Sequence, residues 1–320
     1  MMHPHVMIRY PISTLAWIWI ACATPVPAQP QISPQDVASA QKGMSWDQGR
    51  SAAWHLDQQR KLSASLAALK PQRNGTIDAY LLIAGLDADP VFGREAGETA
   101  KVLSRRYDAA GRTILLASGS RAAPDGSPPN LAAGLAAIAE RMDKAEDVLV
   151  LYATAHGAPG IGIVYKDGDK GYGMIAPQRL ATLLDELGIK RRLIIVSACY
   201  SGQFVDALAA PDSVVLTAAD NDRTSFGCEA TNDWTYFGDA LINRSLRTAE
   251  KLEPAAAEAY RTISEWEFSE GLTSSKPRIF VGADARRWLA ALEARIPPGS
   301  TPRVGRPAVE SERSAEPAGR

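Results

Sequence analysis

The chain is poor in cysteine and histidine, the residues that supply most thiol nucleophiles and imidazole bases. Its 320 residues include three cysteines and four histidines. It also lacks a marked excess of charge of either sign, since lysine and arginine nearly balance aspartate and glutamate, with a formal net charge of −1. This balance gives no indication of binding to nucleic acid or to an anionic membrane surface.

Several motifs that identify large enzyme classes are absent. There is no GxSxG elbow, no P-loop and no HExxH helix, so the sequence does not support a serine hydrolase, a nucleotide-binding protein or a zinc protease. The closest approach to a dinucleotide cradle, residues 157–162, carries Pro159 where a helix would begin. Asp87 and Asp89 share an acidic loop, but without a third ligand in register we interpret them as helix capping or solvated charge. No cofactor and no metal are therefore expected.

Long apolar runs are also absent, apart from a short one near the N-terminus. Residues 12–23 are mostly apolar, follow a segment containing Arg9, and precede small residues up to Ala28. This order is typical of a secretory signal peptide over residues 1–28, and predicts export to the periplasm or the medium. A lipid anchor at Cys22 is the less favoured alternative. No other segment is apolar enough to span a bilayer after signal cleavage.

Removal of that segment leaves Cys199, Cys228, His55 and His156 as candidates for a thiol–imidazole pair. His55 falls in a helical region and is expected to be a surface or packing residue. The other three lie in the region where buried strands alternate with helices. In an oxidising compartment, Cys199 and Cys228 could instead form a disulfide.

Two aliphatic runs end on chemically useful residues. Residues 191–198 are rich in β-branched residues and lead to Cys199, while residues 147–155 lead to His156 and Gly157. Continuous apolar runs of this length are typical of buried strands in a parallel sheet. Open α/β sheets bind their ligands at the carboxyl ends of the strands. A Cys–His nucleophile and base at this edge is therefore our hypothesis for the function.

The regular alternation of strands and helices predicts one α/β domain over residues 76–295, with a mainly parallel sheet and helices on both faces. A helical N-terminal arm is expected over 29–75. One of the amphipathic helices of the domain is expected over 234–246. Residues 296–320 are rich in proline, glycine, serine and charge, and are expected to form a disordered tail.

These motifs resemble the caspase–legumain clan of cysteine peptidases, and within it the bacterial branch of the legumain and glycosylphosphatidylinositol-transamidase family. The resemblance covers residues 78–245 and is carried by Thr154–Gly157, Ser197–Gly202, Leu216–Ala219, Ile83–Gly85 and Arg94. It implies a caspase-like fold and a cysteine-type endopeptidase that acts on peptides or proteins.

The resemblance also implies roles for individual residues. Cys199 would be the nucleophile and His156 the acid–base, and the backbone N–H groups of Gly157 and Cys199 would form the oxyanion hole. Arg94 would line the pocket for the residue before the scissile bond. The opposite wall would come from the loop over 219–229, with Asp220, Asp222 and Ser225.

The chain departs from the family at Ser197, where legumains carry a glutamate at the wall of this pocket. Because that carboxylate is absent, the specificity of legumains for asparagine cannot be assigned to this chain. Two alternatives remain open at this stage. A ligase or transamidase would use the same acyl-enzyme, and a non-catalytic binding protein could hold Cys199 in a disulfide with Cys228.

Overall fold

The computed structural model describes residues 49–168 and 171–309. The predicted signal segment, including Cys22, lies outside the described residues. The described part of the N-terminal arm contains helix α1 (Ala52–Ala67). Its N-cap residue is Ser51, whose hydroxyl accepts a hydrogen bond from the N–H of Trp54. None of the helices in the described ranges is both long and apolar enough to cross a bilayer.

A six-stranded sheet forms the centre of the molecule. Counted along the chain, the strands are β1 (Ala79–Gly85), β2 (Thr113–Ala117), β3 (Val148–Thr154), β4 (Gly157–Ala158), β5 (Gly162–Lys166), β6 (Tyr172–Ile175), β7 (Arg192–Ser197), β8 (Ser213–Thr217) and β9 (Arg278–Val281). The order in the main sheet is β2-β1-β3-β7-β8-β9, and every neighbouring pair is parallel except β8 and β9. Strands β4, β5 and β6 form a separate antiparallel sheet.

Helices cover both faces of the main sheet. After α1 they are α2 (Pro90–Arg106), α3 (Pro128–Arg141), α4 (Pro177–Glu186), α5 (Gln203–Leu208), α6 (Leu252–Ser269) and α7 (Ala285–Glu293). Residues from α2, α6 and α7 pack on one face, and residues from α3, α4 and α5 pack on the other. The central strands β1, β3 and β7 are buried along their whole length because both faces are covered. The predicted α/β class, with a mainly parallel sheet and helices on both faces, is confirmed.

The segment predicted as an amphipathic helix over 234–246 has a different geometry. It forms a π-helix at Gly238–Arg244, followed by a short 3₁₀ turn at Ser245–Arg247. Both pieces are almost entirely buried. The prediction of helical structure was therefore right in location and wrong in type.

The region after residue 296 also differs from the prediction of a disordered tail, as far as residue 309. The carbonyl of Val304 accepts hydrogen bonds from the indole N–H of Trp234 at 2.7 Å and from the side-chain amide of Asn243 at 3.1 Å. Ala308 is fully buried and donates its backbone N–H to Asp239. Backbone hydrogen bonds fix this segment even though it contains few large apolar residues.

Candidate active site

The two predicted catalytic side chains follow neighbouring strands. Strands β3 and β7 are paired in parallel, with Thr154 opposite Ser197 at their carboxyl ends. His156 and Cys199 each stand two residues beyond this pair. The N–H of Ala155 donates to the carbonyl of Ser197 at 3.2 Å, which extends the pairing past the ends of the strands. The sheet register therefore brings the imidazole and the thiol to one edge.

Gly157 allows the two strand ends to approach closely. A methyl group placed on Gly157 would lie 1.9 Å from the carbonyl oxygen of Cys199, well inside van der Waals contact. The backbone of Gly157 therefore lies directly against the backbone of Cys199. Only glycine fits this position without moving one of the two strand ends.

The chain turns sharply immediately after Cys199. Tyr200 has a φ of 56°, in the left-handed region that side chains other than glycine rarely adopt. Such a conformation costs roughly 1–3 kcal/mol and persists only where the surroundings hold it. The N–H of Tyr200 donates to the carbonyl of Arg223 at 2.7 Å, and the hydroxyl of Ser201 accepts from the N–H of Ala219 at 3.1 Å. The loop after β8 thus fixes the turn that carries the thiol.

The surroundings of Cys199 favour its thiolate. A hydrogen bond from the Cys228 thiol is the largest effect, and the N–H of Ser225 donates to the Cys199 sulfur at 3.2 Å. Together with the charge of His156, and despite burial, these contacts lower the pKa of Cys199 to about 6. The pKa of Cys228 is raised instead, because this half-buried thiol donates to Cys199, is partly desolvated and lies near Glu229 and Glu95. The pKa values of the two thiols therefore shift in opposite directions, down for Cys199 and up for Cys228.

Both cysteines are free thiols in the structure. The disulfide that the sequence left open is therefore not formed, although a hydrogen bond from the Cys228 thiol is the main cause of the lowered pKa of Cys199. Sequence reasoning did not predict this contact as a hydrogen bond. The two cysteines are brought together by the long loop after β8, whose course no local pattern specifies.

His156 lies in a partly exposed setting beside the start of α2. Its ring packs edge-on against Phe92 with the ring centroids 5.1 Å apart, and its Nε2 lies 3.6 Å from Oδ2 of Asp89. Asp89 occupies the N-cap position of α2, but its side chain makes no capping hydrogen bond. Asp87 joins the group, and one potential ligand atom from each of the three residues lies within 4.8 Å of the others. The capping interpretation of Asp89 is wrong, because the carboxylate faces the imidazole.

A buried polar network stands beneath the two strand ends, and the sequence did not reveal it. The fully buried carboxylate of Glu95 accepts hydrogen bonds from the hydroxyl of Tyr152 at 2.6 Å and from the hydroxyl of Thr235 at 2.7 Å. The Thr235 hydroxyl also lies 3.2 Å from the hydroxyl of Ser197. Ser197 is only 2% exposed. It therefore supports the interior of the site and does not face substrate as expected, because its hydroxyl points to Thr235.

The remaining predicted pocket residues lie in different places. The guanidinium of Arg94 donates to the backbone carbonyls of Ala230 and Asn232, and lies 3.6 Å from Asp233. It lines a cavity of about 360 Å³ with Asp233, Gly93, Gly97, Glu98, Lys101, Trp234, Val304 and Gly305. Within the described ranges, no hydrogen bond or ion pair links Arg94 to Cys199 or His156. The sequence did not single out Asp233. The one feature that could have indicated it is its position between the polar loop and Trp234.

Of the three residues predicted from the loop over 219–229, one lies near the Cys199 thiol and two have other partners. Ser225 contacts Cys199 through its backbone N–H. Asp220 lies 3.4 Å from Arg278 on strand β9, and Asp222 is an exposed side chain 3.4 Å from Arg223. The structure therefore brings Ser225 to Cys199 and holds Asp220 and Asp222 in ion pairs with other partners.

Residues 135–277, which include both strand ends and the loop after β8, match the model of the Peptidase C13 family. No curated protein sequence matches the chain. Among solved structures, the chain is similar to caspase-1 from Spodoptera frugiperda, with 14% sequence identity and a TM-score of 0.47. That alignment covers 66% of this chain and 91% of the caspase chain.

Proposed function

We propose that this chain, which is a cysteine peptidase of the caspase–legumain clan, cleaves peptide bonds through a dyad of Cys199 and His156. The supporting observation is that the thiol of Cys199 has a pKa lowered to about 6. This thiol follows a strand that is paired with the strand leading to His156. A lowered pKa increases the fraction of the thiol that is present as thiolate, the reactive form of the nucleophile. The reactive form of the nucleophile is therefore available before substrate arrives.

The chemistry proceeds in two stages. The Cys199 thiolate attacks the scissile carbonyl, and the N–H groups of Gly157 and Cys199 stabilise the negative charge that develops on the oxygen. The C–N bond then breaks as the imidazolium of His156 protonates the leaving amine, which leaves a thioester. In the second stage neutral His156 accepts a proton from water, whose oxygen attacks the thioester and releases the acid and the thiolate.

The dyad is tested by substitution. Cys199→Ala and His156→Ala should each abolish peptide hydrolysis, and the double variant should lose little more, because residues that act as a unit are strongly non-additive. Far-ultraviolet circular dichroism and urea unfolding of each variant serve as controls for the fold. Peptidase activity that persists in Cys199→Ala would refute the mechanism.

For the substrate pocket we propose that Arg94 contacts the side chain of the residue before the scissile bond. Its guanidinium is 41% exposed and lines a cavity. Charge-assisted hydrogen bonds from a guanidinium favour aspartate or a small polar residue. Arg94→Ala should lower kcat/KM for such peptides by about ten- to hundred-fold, because one such contact is worth about 1.5–3 kcal/mol. The rate at which a small thiol reagent alkylates Cys199 should change little in this variant.

A positional-scanning peptide library determines this preference directly. The proposal expects the best cleavage after aspartate, asparagine or small polar residues, with the preference weakened in Arg94→Ala. Lys101→Ala is a matched control, since Lys101 lines the same cavity but pairs with Glu98. Cleavage after arginine or lysine would overturn the placement of Arg94 and favour an acidic residue, Asp220 or Asp222, as the specificity residue.

A further inference from the structure

We propose that Asp87, Asp89 and His156 form an inhibitory site for a transition-metal dication, with Zn²⁺ as the ion that fits best. The inhibitory part rests on the function proposed above, since it requires that His156 takes part in catalysis. The binding part does not, because it depends only on the three ligands.

The arrangement of the three side chains is close to that of a metal site. One potential ligand atom from each residue lies within 4.8 Å of the other two, and Nε2 of His156 is 3.6 Å from Oδ2 of Asp89. Zinc bonds of about 2.0–2.1 Å in a tetrahedral site place neighbouring ligand atoms about 3.3–3.4 Å apart. The histidine and Asp89 therefore need to move by only a few tenths of an ångström.

Asp87 provides an independent indication of a ligand. This residue is 1% exposed, and within the described ranges its Oδ2 has no hydrogen-bond partner. Its other oxygen accepts the N–H of Asp89 at 2.9 Å. An unpaired buried oxygen of a carboxylate is costly, and a bound cation would satisfy it.

Asp89 is likewise not used by the helix that it precedes. An aspartate at the N-cap ordinarily accepts an N–H from the first turn, but this one makes no such bond. Its side chain is 39% exposed and is paired with His156, so the open side of the group is reachable from solvent.

The donor set selects among metals. Two carboxylates and one imidazole suit zinc, whereas calcium and magnesium prefer oxygen ligands alone. The two carboxylates also balance the charge of a dication when the imidazole is neutral. Zinc has no redox chemistry, so it would not oxidise the neighbouring thiol of Cys199. A metal on Nε2 occupies the electron pair that His156 needs to accept a proton, so bound zinc should stop turnover.

Isothermal titration calorimetry of the full chain tests the binding without reference to activity. The Cys199→Ala/Cys228→Ala background removes the thiol ligands and is titrated with ZnCl₂. We expect binding that is lost in His156→Ala and weakened at least about tenfold by Asp87→Asn or Asp89→Asn, since even indirect loss of ligand support costs ten- to hundred-fold. Asp57→Asn, which changes an exposed carboxylate paired with Lys61 on α1, should bind as the background does.

Spectroscopy and inhibition complete the test. Co²⁺ bound to the full chain with both cysteines intact should show visible d–d bands without a thiolate charge-transfer band. Zn²⁺ should inhibit peptide hydrolysis reversibly, with chelator restoring activity, and the inhibitory concentration should rise at least about tenfold in Asp89→Asn.

Zinc that binds only when the cysteines are present, or with equal affinity in both aspartate variants, would overturn the site. Zinc that binds as proposed without inhibiting would leave the site standing, and would overturn its inhibitory role together with the assignment of His156. Peptidase activity retained in Cys199→Ala would refute the proposed function while leaving the calorimetric result intact.

Discussion

The thiol of Cys228 offers a sharp test of how the structure activates Cys199. Its hydrogen bond to the Cys199 sulfur is the largest of the effects that lower the pKa of Cys199 to about 6. A hydrogen bond to a charged group is worth about 1.5–3 kcal/mol, and each pKa unit corresponds to about 1.36 kcal/mol. Cys228→Ala should therefore raise the pKa of Cys199 by about 1–2 units, to about 7–8.

The direction of the pKa shift determines at which pH the variant should react more slowly or faster than wild type. The lost donor had stabilised the thiolate, so the variant needs a higher pH to reach the same thiolate fraction. Thiolates of higher pKa are also more nucleophilic, with a Brønsted coefficient of about 0.4–0.5. The variant should thus react more slowly than wild type near pH 6 and faster on the plateau above pH 9.

The assay is the pH dependence of alkylation with iodoacetamide, with peptide mapping to assign the label to Cys199. Wild type should show an inflection near pH 6, and Cys228→Ala an inflection near pH 7–8. Cys228→Ser retains a hydroxyl donor and should lie between the two. Peptide hydrolysis should persist in Cys228→Ala with its acidic limb shifted in the same direction. An inflection that remains near pH 6 in Cys228→Ala would refute the assignment of Cys228 as the main donor.

Three further predictions concern the supports of the site and the N-terminus. Gly157→Ala should lower the free energy of unfolding by about 1–3 kcal/mol and reduce kcat, because its methyl group overlaps the carbonyl of Cys199. Gly97→Ala in α2 is the control, since its methyl group meets nothing within 4 Å. It should raise the free energy of unfolding, measured by urea denaturation, by about 0.5–1 kcal/mol. Glu95→Gln should cost about 1–3 kcal/mol in the same assay, because its amide NH₂ would oppose one of the hydroxyl donors now paired with the carboxylate; unchanged stability would contradict the network. N-terminal sequencing of exported protein should begin near Gln29, and intact Met1 in a cytosolic fraction would contradict the predicted export.

The parts of the fold that follow from local pattern could be predicted. Continuous aliphatic runs marked β3 and β7 as buried strands, and parallel pairing placed the residues after them at one edge. The family resemblance implies a role for the N–H group of Gly157 in the oxyanion hole. The structure adds a steric reason, the contact with the backbone of Cys199.

The parts that depend on contacts between distant segments could not be predicted. The hydrogen bond between Cys199 and Cys228 requires the loop after β8 to fold back, and the network around Glu95 joins residues from α2, β3 and the segment before the π-helix. The order in residues 301–309 depends on backbone hydrogen bonds to Trp234 and Asn243, which composition does not report. The acidic loop at Asp87 offered no third potential ligand in sequence because His156, the side chain that completes the group in space, follows a different strand.

Intact-protein mass spectrometry of acid-quenched turnover tests the central claim most directly. With a peptide substrate chosen from the library, the wild type should carry a transient acyl adduct that peptide mapping assigns to Cys199. The adduct should be absent from Cys199→Ala and present in Cys228→Ala. An adduct on any other residue, or turnover by Cys199→Ala, would contradict the account.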